Sequence, residues 1–455
     1  MGLNAAPSQL TSEQARHFLI RTGFAPTQQE VDALTGQSAQ AAVADTLARA
    51  KTAKPAHPPP DFVSQPPPVA YVMLKTTEEK QAMRRQQMRE GLDLKTWWVT
   101  EMIETRAPLQ ERMTLFWHNH FATSQQKVVR SQAMWNQHQL LRANALGNFA
   151  TLLHAVAKDP AMLVYLDGAN SRREAPNENF AREVMELFTL GEATHGGGYS
   201  EQDIREAARA FTGWSIERET FSFRFRPAFH DAARKTVLGR SGHFDGDAVL
   251  DVMLAQEAAS RFIVGKLWKE FVAPTPDSAE LNRIAIAFRA SGYDISTALQ
   301  ELFLTDAFWA TDNAGSLIKS PVELVVGTVR QFGVSYSDAT PFALRSAQLG
   351  QNLLVPPNVK GWPGYTDWIN ASALLARKRF TEQLLRADGM MAARFDANRW
   401  LGAYGGRADS EPNDELKARI AHLLLALPAT QIIAPGTVGV AYLRGLTLDP
   451  AYQLK

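Results

Sequence analysis

The amino-acid sequence predicts a mainly α-helical protein, a large multi-helix domain with a small inserted antiparallel β-sheet at about 214–239. Three observations lead there. Through most of the chain, apolar residues recur at helical spacing between recognisable start and stop signals. One section, "GWSIERETFSFRFRPAFHD", switches to period two, alternating Phe221, Phe223 and Phe225 with Ser222, Arg224 and Arg226, which is a strand pattern. No fixed-period repeat is evident, which argues against a solenoid.

Taken in order, "TSEQARHFLIRTGFAPTQQEVDALTG" reads as two short helices. Thr11 with Gln14 makes a capping box, Gly23 ends the first helix, and Thr27 with Glu30 repeats the start signal. "QSAQAAVADTLARAK" is a third helix, completing an N-terminal helical segment over residues 1–53. Lys54–Ala70 holds seven prolines in seventeen residues and cannot be helical, so it is an extended connector. The main helical domain follows over 71–400, with the β insertion inside it. Its helical signal resumes from Leu74 to about Leu115, where Arg84, Arg85 and Arg89 are interleaved with acidic residues and read as a solvated face. After the insertion come "DGDAVLDVMLAQEAASRFIVGKLWKEFVA", "SAELNRIAIAFRASGYDISTALQELFLTDAFW" and "SPVELVVGTVRQFG", all helical. A last amphipathic helix, "NDELKARIAHLLLALPA", belongs to a C-terminal segment, 401–455, packed on the main domain.

Composition excludes several function classes. Lys plus Arg number 48 against 47 Asp plus Glu, so the net charge of +1 argues against a dedicated nucleic-acid binder. With no cysteine, disulfides, thiolate metal sites and cysteine nucleophiles are absent. The N-terminus carries no apolar core of signal-peptide length, and "AHLLLALPA" is far shorter than the roughly 20 residues of a membrane span. The expectation for the chain as given is a cytoplasmic protein without a transmembrane segment. No phosphate loop, H-E-x-x-H, G-x-S-x-G or dinucleotide fingerprint occurs.

Five stretches could carry chemistry. "LFWHNHFATS" holds His118 and His120. On a helix the two point about 200° apart, so both can serve one metal ion only if the helix ends near Asn119. If it continues, one histidine faces a cleft, and His118 is the expected one because Glu111 and Leu115 share its side. "PNENFAREVMELFTLG" starts at the N-cap Asn177 and ends at Gly191, with Asn179, Glu183 and Glu186 in a stripe beside the apolar face. Two carboxylates one turn apart suit an oxygen-loving metal or an acid/base pair; the alternative is a solvated stripe in which Arg182 pairs with Glu186. In "YSEQDIREAARAFTGW", Ser200 with Asp203 is a capping box and Thr212–Trp214 marks a sharp exit into the first strand. "FHDAARKTVLG" places His230 and Asp231 just after the aromatic strand. "PPNVKGWPGYTDWIN" is a rigid loop whose Trp362 and Trp368 could line a cleft or plug the core.

Together, "ARHFLIRTGFAPTQQEVDAL", "RMTLFWHNHFATS", "NENFAREVMELFTLG", "YSEQDIREAARAFTGW", "FHDAARKTVLG", "SRFIVGKLWKEFV", "KSPVELVVGTVR" and "PPNVKGWPGYTDWIN", in this order from about Ala15 to Arg379, resemble the bacterial family catalogued as domain of unknown function 1800. The resemblance implies a largely helical fold with no established function. Many members are exported and are often encoded beside proteins of the sulfatase and alkaline-phosphatase class, which implies a sulfatase- or phosphatase-like partner; this chain departs from the family in showing no export signal. His118, His120, Asn179, Glu183, Glu186, Thr212–Trp214, His230, Asp231 and Lys360–Trp362 all fall on motif positions, which implies a shared polar cleft.

The expected function on these grounds is a metal-assisted hydrolase. His118, His120 and Asp231 would hold a divalent ion, Glu183 would act as general base or further ligand, and His230 as acid/base. Asn179, Glu186, Lys360 and Trp362 would complete the cleft. The rival expectation is a non-enzymatic binding or accessory protein in which the histidines and carboxylates form a structural hydrogen-bond network.

Overall fold

Capping chemistry opens the chain as the sequence indicates. In the computed structural model, which describes residues 6–65, 75–386 and 393–455, reciprocal Thr11–Gln14 and Thr27–Glu30 hydrogen bonds start the helices Ser12–Thr22 and Gln28–Leu34, and Ser38 caps Ala39–Thr52. The proline-rich connector then runs along the helix Thr77–Glu104. The buried Glu101 carboxylate accepts from the amides of Ala56 at 2.8 Å and His57 at 2.6 Å, and the Trp97 indole donates to the Pro58 carbonyl. One short turn, Asp61–Ser64, interrupts the extended path. Residues 66–70 of the connector and 71–74 of the expected main domain lie outside the described residues. Arg84, Arg85 and Arg89 are exposed.

The centre of the molecule is the helix Pro108–His120. Proline at its first position leaves no orphan amide there. Every residue from Leu109 to His118, and His120, is buried, although the run includes Gln110, Glu111, Arg112, Thr114 and both histidines. A helix that is enclosed on all sides and yet polar must find a partner for each buried group. The neighbours that supply most of them are Thr77–Glu104, Ser131–Ala143, Val184–Thr189, Glu257–Phe271 and Pro321–Gln331. Trp98, Trp117 and Trp268 fill the space between them.

The β insertion is two separate antiparallel hairpins rather than one sheet. Trp214–Ile216 pairs with Phe223–Phe225, and Lys235–Val237 pairs with Arg240–Gly242. The aromatic strand therefore turns back onto "WSI" and not onto "KTV". Between the hairpins the turn Pro227–Phe229 breaks the pairing, and Lys235 anchors the second hairpin by donating to the carbonyls of Ala233 and Phe244. A third pair, Ser335–Tyr336 with Ala393–Arg394, is too short to leave a period in the sequence. At the C-terminal end, Asp414–Leu424 and Gly439–Leu448 add Ile420, Leu424 and Leu443 to the continuous core. Among the described residues no helix is long and apolar enough to cross a membrane.

Candidate ligand-binding cleft

The helix Pro108–His120 does not break at Asn119; it runs through His120 and is capped at Phe121. The two histidines consequently leave on different sides. His118 faces Ser131–Ala143, where its Nε2 lies 3.2 Å from Nδ1 of His138, and Trp98 packs on both rings. Burial drives the His118 pKa down to about 3 and that of His138 well below the ordinary histidine value. On the same side Glu111, fully buried, accepts from Trp98 Nε1 at 3.0 Å and Arg142 Nε at 2.8 Å. This side is closed.

His120 is on the side that opens. The expectation that His118 faces the cleft is corrected: the helix periodicity puts His120 two turns beyond Arg112 and one beyond Phe116, and these three line a cleft of about 410 Å³. Four cations, Arg112, Lys266, Lys269 and Lys455, stand around it against two carboxylates, Glu270 and Glu323. Arg112 reaches both carboxylates at 2.5 Å, and Lys455 Nζ donates to Glu323. Burial opposes ionisation of Glu323, but Arg112 and Lys455 hold its carboxyl below the usual range. Arg21, Lys319 and Arg377 lie buried behind it, spending their hydrogen bonds on backbone carbonyls such as those of Val272, Tyr452 and Lys319.

Lys266 differs from the other cations. Its Nζ lies 3.0 Å from His120 Nδ1, and no carboxylate among the described residues pairs with it. The other ring nitrogen, Nε2, is 3.1 Å from the Phe188 carbonyl at the end of its helix, and a carbonyl can only accept. His120 is therefore the Nε2–H tautomer, its Nδ1 lone pair accepting from Lys266. Burial, then Lys269, lower the Lys266 pKa to about 8, and His120 is held neutral by burial and by Lys266.

The fifth sequence stretch closes the cleft's rim. Trp362 N–H donates to Asn119 Oδ1 at 2.7 Å, and Gly361 sits at φ +88° so close that a Cβ there would lie 2.2 Å from the same oxygen. Trp362 is thus a buried plug against Asn119, and it is Trp368 and Tyr365, with Phe116, that wall the cleft.

The remaining sequence candidates lie elsewhere. Asn177 caps Glu178–Glu183, the helix widens to a π-turn over Val184–Thr189, and Gly191 ends it at φ +84°. Asn179 is exposed, and Arg182 pairs with Glu201 through both nitrogens at 2.7 Å, not with Glu186. Glu183 and Glu186 are half-buried; burial, then Glu186, raise the Glu183 pKa, while Arg182 and Lys360 lower it. Lys360 itself is exposed and 3.7 Å from Glu192. In the insertion, His230 Nδ1 donates to the Thr212 carbonyl at 2.9 Å. Asp231 accepts from Arg209 Nε at 2.7 Å, and the Asp231 amide donates to Thr212 Oγ1 at 2.8 Å. His118, His120 and Asp231 thus end on three different sets of partners. Among the described residues no three His, Asp or Glu side chains are grouped to hold a metal ion, so the triad does not fit the expected divalent ion.

The residues that line the cleft were in part overlooked in the sequence. Lys266 and Lys269 sit inside "SRFIVGKLWKEFV", where they read as the polar side of an amphipathic helix, and Lys455 carries no motif. A helical protein with an electropositive, aromatic-walled cleft is the class this geometry defines. The chain belongs to the family described as "Protein of unknown function (DUF1800)", which matches residues 17–435. No curated protein and no solved structure matches it.

Proposed function

We propose that this protein binds a small anionic ligand with a planar or apolar portion in the cleft beside His120. The carrying observation is Lys266: an ammonium on the cleft wall with no carboxylate partner among the described residues. A second support is the buried pair of guanidinium groups of Arg21 and Arg377, which raises the potential inside a low-dielectric recess. Phe116, Tyr365 and Trp368 offer the apolar contact. This takes the binding alternative over metal-assisted hydrolysis, which gains no support from where His118, His120 and Asp231 lie. The closed His118–His138 and Glu111–Arg142 pairs act as the hydrogen-bond network that fixes the helices. A sulfatase- or phosphatase-like partner, implied by the family resemblance, is compatible, since sulfate and phosphate esters are anions of this kind.

The test is calorimetry with aryl carboxylates, aryl sulfates and aryl phosphates. The expected result is saturable binding of at least one class, weakened by salt and lost in Lys266→Met. Absence of binding across all three classes, or binding indifferent to Lys266→Met, overturns the proposal.

A further inference from the structure

We propose that Lys266 is a bond-forming amine that captures an anionic carbonyl compound, such as a 2-oxo acid, as an imine, with His120 positioning Nζ and taking its proton. This rests on the anion-binding reading and adds a covalent step to it.

The geometry is that of an activated amine. Lys266 comes from Glu257–Phe271 and meets His120 from Pro108–His120, so two packed helices define the pair. The tautomer of His120 is set by the Phe188 carbonyl, which leaves Nδ1 as the acceptor 3.0 Å from Nζ. One N–H is thereby pinned, and Lys266 is among the residues that line the cleft. The charged groups around it are Lys269 and Glu270 on its own helix, Arg112 on the histidine helix, and Glu323 and Lys455 deeper in the cleft. Both carboxylates are engaged by Arg112, so neither stabilises the ammonium form of Lys266, while Lys269 disfavours it. Burial among apolar groups and a neighbouring cation are the two devices that make a lysine nucleophilic near neutral pH.

The same surplus charge selects the substrate. With Arg112 and Lys455 occupied by Glu270 and Glu323, Lys269 is the cation left to receive a carboxylate beside the reacting carbonyl. In the step, the Nζ lone pair adds to the carbonyl carbon. His120 Nδ1 accepts one of the two protons of the neutral Nζ and passes it to the carbonyl oxygen, which becomes the hydroxyl of a carbinolamine. The C–O bond then breaks. The oxygen leaves as water, its hydroxyl taking the second Nζ proton as the C=N bond forms. The balance is one carbonyl and one amine giving one imine and one water, with no oxidant or reductant.

The experiment incubates the full chain with glyoxylate or phenylpyruvate, reduces with borohydride, and maps adducts by peptide mass spectrometry. Lys266 should be labelled roughly tenfold or more faster than surface lysines at neutral pH, because each unit of lowered pKa raises the free-amine fraction about tenfold. Lys266→Arg should abolish the adduct. His120→Gln, which retains an acceptor but cannot take the proton, should slow labelling and change its pH profile while calorimetric anion binding persists; an unchanged rate and profile removes His120 from the step. If Lys266 is labelled no faster than exposed lysines while aryl anions still bind, the imine proposal falls and the binding reading stands. If anions neither bind nor label, both fall.

Discussion

His118 and His120 are two residues apart on one helix, both buried, and both neutral, yet they belong to different kinds of surroundings. On the His118 side the charged and ring groups are paired with one another: Glu111 with Trp98 and Arg142, His118 with His138. On the His120 side cations outnumber carboxylates, and Lys266 has a neutral ring as its only side-chain hydrogen-bond partner among the described residues. Burial alone therefore says little about function. A closed polar network specifies packing, whereas an unneutralised charge at an opening is a group kept for something outside the chain.

That contrast is broken most severely by acid. The unfolded chain protonates His118 near its ordinary value of 6.5, but the folded protein resists until about 3. The folded pKa is depressed, so the unfolded state binds the proton first, and this contribution to stability is lost as pH falls from 6.5 toward 3. A shift of this size corresponds to several kcal/mol, on the order of 1.4 per unit. Urea midpoints at pH 4 and pH 7 should differ markedly in the native chain, and less in His118→Gln. An equal slope in both would mean that His118 is not held neutral.

Next in size is Glu111→Ala. It strands the Arg142 guanidinium, 7% exposed, without its carboxylate, and should destabilise by about 3–5 kcal/mol in equilibrium unfolding. Protein that remains folded should bind aryl anions with unchanged affinity. Loss of binding with little loss of stability would show that the two sides are one site. Gly361→Ala acts on the open side instead. A Cβ there collides with Asn119 Oδ1, at a backbone angle that favours glycine, so a destabilisation of about 1–3 kcal/mol should come with weakened anion binding as the Trp362–Trp368 loop shifts.

What was legible in the sequence follows from the range of the interaction. Caps at Thr11, Thr27, Asn177 and Ser200 act within four residues, and each is found where its residues indicate. The aromatic strand was legible by period and the strand before it by the sharp exit at Thr212–Trp214, but the separation of Lys235–Val237 into a second hairpin was not, because it depends on the intervening turn. The cleft was the least legible. His120 stood out as a histidine between aromatics, while Lys266 lies 146 residues away and looked like any lysine on an amphipathic helix. Lys455 and Glu323 are 132 residues apart. Such a site is assembled by tertiary packing, and no local spacing records it.

The smallest effect tests the least local part of that lesson, the adjacent His230 and Asp231 that looked like a reactive pair. In the structure Asp231 is a brace. Its carboxylate accepts from Arg209, its amide donates to Thr212 Oγ1, and its carbonyl accepts from Lys235. The hydrogen bond from Arg209 is the main influence holding its carboxyl below the usual aspartate range, with burial opposing. A depressed carboxyl contributes stability above its unfolded pKa and loses it as pH falls through the folded value. Asp231→Asn keeps the shape and removes the charge, so it should lower stability by about 1 kcal/mol at pH 7, with the difference from the native chain vanishing in acid. Anion binding and labelling at Lys266 should be untouched. If Asp231→Asn instead abolished either one while leaving unfolding unchanged, the insertion and the cleft would have to act together, and the division between bracing and binding side chains drawn from His118 and His120 would not extend beyond their helix.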